Sequence, residues 1–374
     1  MRYSNKQILD ILRKVKHPDK QQDIVSLGMV DDLKIEGKKI SFSLHFKQAN
    51  DPFISSIKKA CIKAIEQGLG DEAEIRGNIT ERVPEKQQKQ KEQGQKDEIL
   101  LPGVKNIVAI ASGKGGVGKS TIAVNAAVAM ARKGARVGLI DADIFGPSIP
   151  RMFNVEGQRP HVKKVEGQDL ITPIVQYGVK LLSIGFFINP EDALVWRGPM
   201  ATNALRQMIH QGEWDELDYL LVDLPPGTSD VHLTLVQELP VTGAAIVSTP
   251  QKVALADAIK GIRMFTQNQI DVPVLGLIEN MSWFTPAELP ENKYYIFGRE
   301  GCKKLAEQEN IPLLGQIPIV QSIMEGGENG QPVSLDEKSP TGQAFFELGQ
   351  NLMDAVEQRN KEQGPTKRVH IKNQ

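Results

Sequence analysis

The sequence predicts an α/β fold built on a mainly parallel sheet flanked by helices, preceded by a small α+β domain. Three observations predict it. Short apolar runs at residues 106–111, 136–140, 180–184, 219–222, 244–248 and 274–278 have strand length and alternate with helical stretches, the pattern of parallel strands joined by crossover helices. A glycine-rich turn at residues 113–120, GKGGVGKS, separates the first run from an alanine-rich helical stretch at 121–132. Carboxylates follow two of the runs, Asp141 and Asp143 after one and Asp223 after the other, at the strand ends where open α/β sheets bind ligands. With 374 residues, 40% of them hydrophobic, the chain can bury a sizeable core and divide into two or three domains.

The first 84 residues form the smaller unit. Residues 4–14 predict a helix capped by Ser4, with Ile8, Ile11, Leu12 and Val15 as its apolar face. Residues 33–46 alternate apolar and polar around Gly37, which predicts a hairpin with Ile40, Phe42, Leu44 and Phe46 on one side. Asp51 and Pro52 suit the cap and first turn of a helix over 52–67, whose apolar face includes Phe53, Ile57, Ala60, Cys61 and Ala64. A strand near 74–79 closes the unit. Residues 85–100 open with a Gln, Lys and Glu run too polar to bury its backbone, either a flexible linker or a short solvent-exposed helix. The larger domain spans 101–357, and the polar, mildly basic tail 358–374 is expected to be disordered.

The glycine-rich turn carries the clearest chemistry. It fits G-x-x-x-x-G-K-[ST], in which Gly113, Gly115, Gly116 and Gly118, with Val117 among them, let successive backbone N–H groups turn inward around a phosphate. Lys119 supplies charge at the β/γ oxygens of a nucleoside triphosphate and the Ser120 hydroxyl suits Mg²⁺. Thr121 opens a helix whose N-terminus faces the phosphates. A second lysine, Lys114, follows the first glycine. Carboxylates at Asp141, Asp143 and Asp223 can hold a metal's water shell or orient an attacking water. Asn280 follows the run 274–278 and reads either as a ligand contact or as a turn residue ending a strand.

Other features exclude or narrow. A net charge of -1 provides no drive toward nucleic acid or anionic membrane. No apolar stretch approaches membrane-spanning length, residues 1–10 lack an apolar signal region, and two cysteines make no disulfide framework, so a reducing cytoplasm is expected. His210 and His232 read as structural. Cys61 reads as core. Cys302 follows Gly301 at the start of a helix over 303–310, an ordinary cysteine or one whose thiol the helix N-terminus and adjacent lysines would acidify.

Taken together, GKGGVGKST, DADIFGPSIP (141–150), LLVDLPPGTSD (220–230), STPQ (248–251) and ENMSWF (279–284) resemble the Mrp-type, ApbC-like branch of the deviant Walker A P-loop ATPases over residues 102–357. The N-terminal stretch resembles the small DUF59 domain that many such proteins carry. More distant resemblance extends to MinD, ParA, the nitrogenase iron protein and the tail-anchored-protein targeting ATPases. The resemblance implies a cytoplasmic homodimer that binds and hydrolyses ATP with Mg²⁺ and passes iron–sulfur clusters to apoproteins, working with those clients or with iron–sulfur assembly proteins and with neither nucleic acid nor membrane. It implies that Lys114 reaches across the dimer to the partner's nucleotide and that Lys119 serves its own subunit. Ser120 would ligate Mg²⁺, Thr121 touch the α-phosphate, Asp141 act through a metal-bound water, Asp143 orient the nucleophilic water, Asp223 serve as the Walker B acid and Asn280 read the adenine edge.

The chain departs from the family at its thiols. Where Mrp-type carriers place a C-x-x-C pair, residues 285–291 read TPAELPE, and where the small domain often carries T-P-x-C-P, residues 47–52 read KQANDP. Clusters usually take four thiolates. The expected cluster ligands are therefore unassigned, with Cys302 as the weak candidate. An iron–sulfur carrier or assembly factor is the first reading, and a nucleotide-switched adaptor or client chaperone that binds no cluster is the second. A positioning ATPase of the MinD or ParA kind is a third, weaker one, because the tail has only Val369 and Ile371 as aliphatics.

Overall fold

The structure, a computed structural model, describes residues 3–18, 22–46, 53–70, 73, 75, 78–82, 101, 103–143, 146–165, 168–187, 198–228, 230–267, 270–286, 288–289, 291–364 and 366. The chain divides into two units, residues 1–96 and 97–374. The Asp51–Pro52 cap, the 47–52 stretch, the polar run 85–100 and the tail beyond 366 lie outside the described residues.

In the first unit α1 (Asn5–Leu12) begins where Ser4 accepts the Gln7 N–H, and it buries Ile8, Ile11 and Leu12. The alternating stretch folds as the antiparallel pair β1 (Val30–Glu36) and β2 (Lys39–His45), joined through Gly37 at φ +66°. The helix α2 (Ile54–Leu69) precedes β3 (Ile79–Arg82), which lies parallel to β2. That strand starts later than the expected 74–79, at the end of a turn in which the Asn78 N–H bonds the Ile75 carbonyl. Ile40, Phe42 and Leu44 on alternate positions of β2 meet Ile57, Cys61 and Ile65 of α2 in one core.

The second unit opens with β4 (Val104–Ala111), α3 (Lys119–Arg132), β5 (Val137–Asp141) and the single turn α4 (Ile149–Met152). An antiparallel ribbon, β6 (His161–Val165) and β7 (Gln168–Thr172), leads to β8 (Ile174–Gln176) and β9 (Val179–Ser183). Next come α5 (Gly198–Gln211), β10 (Leu217–Asp223), α6 (Asp230–Glu238), β11 (Gly243–Ser248) and α7 (Lys252–Thr266). The chain continues through β12 (Val274–Phe284), α8 (Gly301–Glu309), β13 (Leu313–Ile319), α9 (Gln321–Glu328) and α10 (Pro340–Glu362).

Eight of these strands form one sheet in the order β13-β12-β11-β4-β10-β5-β9-β8. All pairings are parallel except the edge pair β8 and β9. Because side chains alternate across a strand, β4 splits its residues between two cores. Ile107, Ala109 and Ala111 pack under α5, α6, α7 and α8, while Val108 and Ile110 pack under α3 and α10. The expected α/β architecture with a mainly parallel, helix-flanked sheet and a small α+β unit is the one observed.

Two boundaries in the second unit differ from expectation, and one strand of the parallel sheet lies outside the predicted runs. The strand expected to stop at 278 continues as β12 to Phe284, because Asn280 and Ser282 are buried and still face the sheet neighbourhood. The strand β13 lies outside the predicted runs because Gly315, Gln316 and Pro318 interrupt its apolar period. The helix α10 runs to Glu362, past the expected domain boundary at 357, since Phe345, Leu348, Leu352 and Val356 anchor it on α3 and Arg359 buries its stem.

Candidate nucleotide site

The parallel pairing brings the carboxyl ends of β4, β5 and β10 side by side, so residues distant in sequence converge. Asp141 and Asp223 are register partners on adjacent strands, and both are fully buried. Between β4 and α3 the turn wraps the cleft. Gly116 and Gly118 both stand at φ +79°, a left-handed geometry that glycine adopts without strain. At Gly118 a Cβ would also lie 2.3 Å from the Asn280 Nδ2, and at Gly113 one would lie 2.0 Å from the Asp257 carbonyl oxygen. The turn is held from outside by Ser112, which donates its hydroxyl to the Lys114 carbonyl at 3.0 Å and accepts at its own carbonyl the Gly227 N–H at 2.9 Å.

Lys119, buried at the first position of α3, donates to Asp223 Oδ1 at 2.8 Å. Ser120 donates its hydroxyl to Asp223 Oδ2 at 2.6 Å. One carboxylate therefore satisfies both of the turn's chemical side chains. Asp141 accepts the Ser183 hydroxyl at 2.8 Å and the Asp143 N–H at 3.2 Å. Burial pushes the Asp141 carboxyl up from its ordinary range, and the neighbouring Asp223 charge pushes it further, against the pull of Ser183 and Lys119. Burial raises Asp223 as well, with Lys119 and Ser120 opposing it. Two buried carboxylates with one ammonium between them leave an excess negative charge, which suits an added cation.

A cleft of ≈ 260 Å³ runs along the turn and is lined by Lys114 to Thr121 together with Asp143 and Pro226. Beside it a second part of ≈ 450 Å³ is lined by Gly118, Thr121, Asn280, Met281, Pro318 and Val320 among others. The site residues read from sequence thus fall in one contiguous cleft, apart from Gly113, Asp141 and Asp223, which do not line it. Lys114 is half-buried and forms no ion pair among the described residues. Asn280 is no turn residue: it lies within β12 and donates Nδ2 to the Val117 carbonyl at 2.9 Å, tying the strand to the phosphate turn.

Ser183 is not among the residues read from sequence, because only the pairing of β9 with β5 sets it in register beside Asp141. Ser120, Asp141 and Asp223 present hard oxygen donors, the set Mg²⁺ favours, and the shared Ser120–Asp223 contact fits a site where a divalent ion joins them. Cys302 is elsewhere. It is fully buried and lines neither part of the cleft. Of the two readings of Cys302 the ordinary cysteine holds and the acidified thiol does not, because burial and the neighbouring Glu279 push that thiol far up. Cys61 is likewise sealed, its thiol pushed up to about 12 by burial. Among the described residues no group of three or more His, Cys, Asp or Glu is disposed to hold a metal, and no helix is long and apolar enough to cross a membrane.

Comparison with known proteins agrees with this geometry. Residues 103–353 match the family model described as NUBPL iron-transfer P-loop NTPase, and residues 5–76 match that of an iron–sulfur cluster assembly protein. The iron–sulfur cluster carrier protein of Synechocystis is 41% identical over 93% of this chain and 97% of its own. The carrier of Escherichia coli K12 is 47% identical over 67% of this chain and 66% of its own. A nucleotide-binding protein from Archaeoglobus fulgidus, solved in complex with ADP, superposes with a TM-score of 0.56 at 35% identity, covering 67% of this chain and 96% of that one.

Proposed function

From the premise that the chain belongs to the NUBPL iron-transfer P-loop NTPase family, we propose that it couples its ATP cycle to the assembly of iron–sulfur clusters or their transfer to apoproteins. The chain is an ATP-binding P-loop ATPase of that family. The observation that carries the proposal is the intact phosphate turn, with Lys119 and Ser120 converging on Asp223, in a chain whose two matched segments both fall in iron–sulfur families.

On this reading the triphosphate lies along Gly113–Thr121 and displaces Lys119 from Asp223 toward the β/γ oxygens. Ser120, with Asp141 and Asp223, would hold Mg²⁺, which when bound would neutralise phosphate charge. Asp143, half-buried at the cleft, orients the attacking water. Thr121 touches the α-phosphate and Asn280 reads the adenine edge from the second part of the cleft. Lys114, without an ion pair of its own among the described residues, is available to a second copy's nucleotide in a homodimer, where it would stabilise transition-state charge. The cluster is cargo in this scheme.

A second reading follows from one observation: residues 285–291 hold no cysteine, and Cys302 is sealed. In it the same ATP cycle switches an adaptor or client chaperone that holds no cluster. The two separate in one experiment. Cluster arrival on an apo-acceptor is followed by absorbance and metal counting, anaerobically, from a loaded scaffold, with and without this chain and ATP. Acceleration that needs both chain and ATP, and disappears in Lys114→Ala, is expected. Equal transfer with and without the chain removes the cluster reading and leaves the adaptor.

A further inference from the structure

Glu279 is the one fully buried acid of the second unit, among the described residues, that lies outside the phosphate site. It sits on β12 immediately before Asn280, with Ser248 of β11 and Gln316 of β13 as its register partners. Both carboxylate oxygens are used. Oε1 accepts Gln316 Nε2 at 2.7 Å, and Oε2 accepts the backbone N–H of Cys302 at 2.7 Å.

The second of those bonds supplies what the local sequence lacks. Helices need acceptors for their first N–H groups, yet the residue before α8, Glu300, is in left-handed geometry and makes no side-chain cap. Glu279 caps the helix from a neighbouring strand, and its charge suits the helix N-terminus. The start of α8 is pressed against the exit of β11, where a Cβ on Gly301 would lie 2.4 Å from the Pro250 carbonyl oxygen. One carboxylate thus joins the middle of β12 and the middle of β13 to a helix seated on the end of β11. Further along the same strands lie Asn280, which holds the Val117 carbonyl, and Pro318, which with Val320 just past β13 walls the second part of the cleft.

We infer that Glu279 is a positioning residue for the nucleoside half of the nucleotide site: by clamping α8 and β13 to β12 it fixes Asn280 and the wall beyond the phosphate turn. It touches no substrate itself. The inference rests on ATP binding in this cleft, and it separates the two halves of the ligand. Phosphate contacts come from α3 and its preceding turn, which Glu279 does not touch.

The test substitutes Glu279→Leu, which keeps most of the volume but removes both acceptors and strands the Cys302 N–H and Gln316 Nε2. ADP and ATP affinity should fall about ten-fold, with KM for ATP rising in step, kcat nearly unchanged and competition by inorganic tripolyphosphate unaltered. The double variant Glu279→Gln/Gln316→Glu restores both bonds, the new amide donating to residue 316 and accepting from Cys302, and should recover ATP affinity. Gln316→Leu removes only one arm from a half-buried position, and should give the same selective loss, smaller, if Glu279→Leu folds poorly. Equal losses of ATP and tripolyphosphate, unchanged affinities, or failure of the double variant to recover would overturn the assignment. Asn280→Ala measured alongside keeps the readings apart: if it leaves ATP affinity intact, the adenine role of Asn280 fails while the Glu279 result stands on the cleft wall alone.

Discussion

Lys119→Ala is the usual way to silence a phosphate turn, and in this protein it should also unfold the domain more easily. Lys119 is 6% exposed and Asp223 fully buried, 2.8 Å apart, with buried Asp141 beside them. At that separation the Coulomb attraction is about 6 kcal/mol for an effective dielectric of about 20. Most of it offsets desolvation, but removing one partner strands the other, and losses of about 3–5 kcal/mol are typical. The stranded carboxylates can take up a proton, which limits the loss and makes it pH-dependent. Their folded-state affinity for protons is raised above the unfolded value, so the stability linked to that proton is present at low pH and vanishes as pH rises through the folded pKa. The deficit of Lys119→Ala should therefore be larger near pH 8 than near pH 5. Urea unfolding of the nucleotide-free protein at both values measures it. Adding Asp223→Asn removes the stranded charge and should restore stability without restoring ATP binding by calorimetry. A Lys119→Ala midpoint equal to wild type near pH 8, or no recovery in the double variant, would refute the reasoning.

Three further outcomes are expected. Asp141→Asn, keeping the Ser183 contact but removing a buried charge, should raise the melting temperature of the nucleotide-free protein at neutral pH and flatten its decline toward alkaline pH, as a scanning calorimeter would record. Gly118→Ala forces φ +79° on a residue with a Cβ and drives that atom into Asn280, so a loss of about 1–3 kcal/mol in stability and of ATP binding should appear together in melting and titration data. Lys114→Ala should retain ATP affinity while turnover falls at least ~10³-fold, as for a charge supplied in trans. Mixed dimers with Asp143→Ala subunits should regain part of it, and no recovery would leave the in-trans role unsupported.

Much of the site was legible because its chemistry is local. Gly113 to Thr121 is one uninterrupted stretch, and Asp141 and Asp223 each end an apolar run, so strand order was not needed to group them. What depended on lateral neighbours was not legible. Ser183 matters only because β9 lies beside β5, and Gln316 only because β13 lies beside β12, and neither adjacency is written in periodicity. Asn280 looked like a possible turn residue because the apolar run stops at Ile278, whereas the strand continues through residues buried by contacts with the phosphate turn. Glu279 carried a readable sign that went unused: an acid directly after five strand residues, VLGLI, must either break the strand or find buried partners.

The same contact that makes Glu279 useful bears on the cargo. Its carboxylate accepts the Cys302 N–H and lies beside that thiol, helping to push it away from the thiolate form in which sulfur binds iron. To recruit Cys302 as a ligand, α8 would have to leave its cap and its seat on Pro250, and the carboxylate would lose a donor at the same time. Such an opening would disturb the strand that holds Asn280 against the phosphate turn. Cluster ligation by Cys302 and an assembled nucleotide cleft therefore oppose each other in this fold. On the proposed function, thiolates that hold a cluster during transfer come from the scaffold or the apoprotein rather than from Cys302, and the ATP state governs how those partners are brought together.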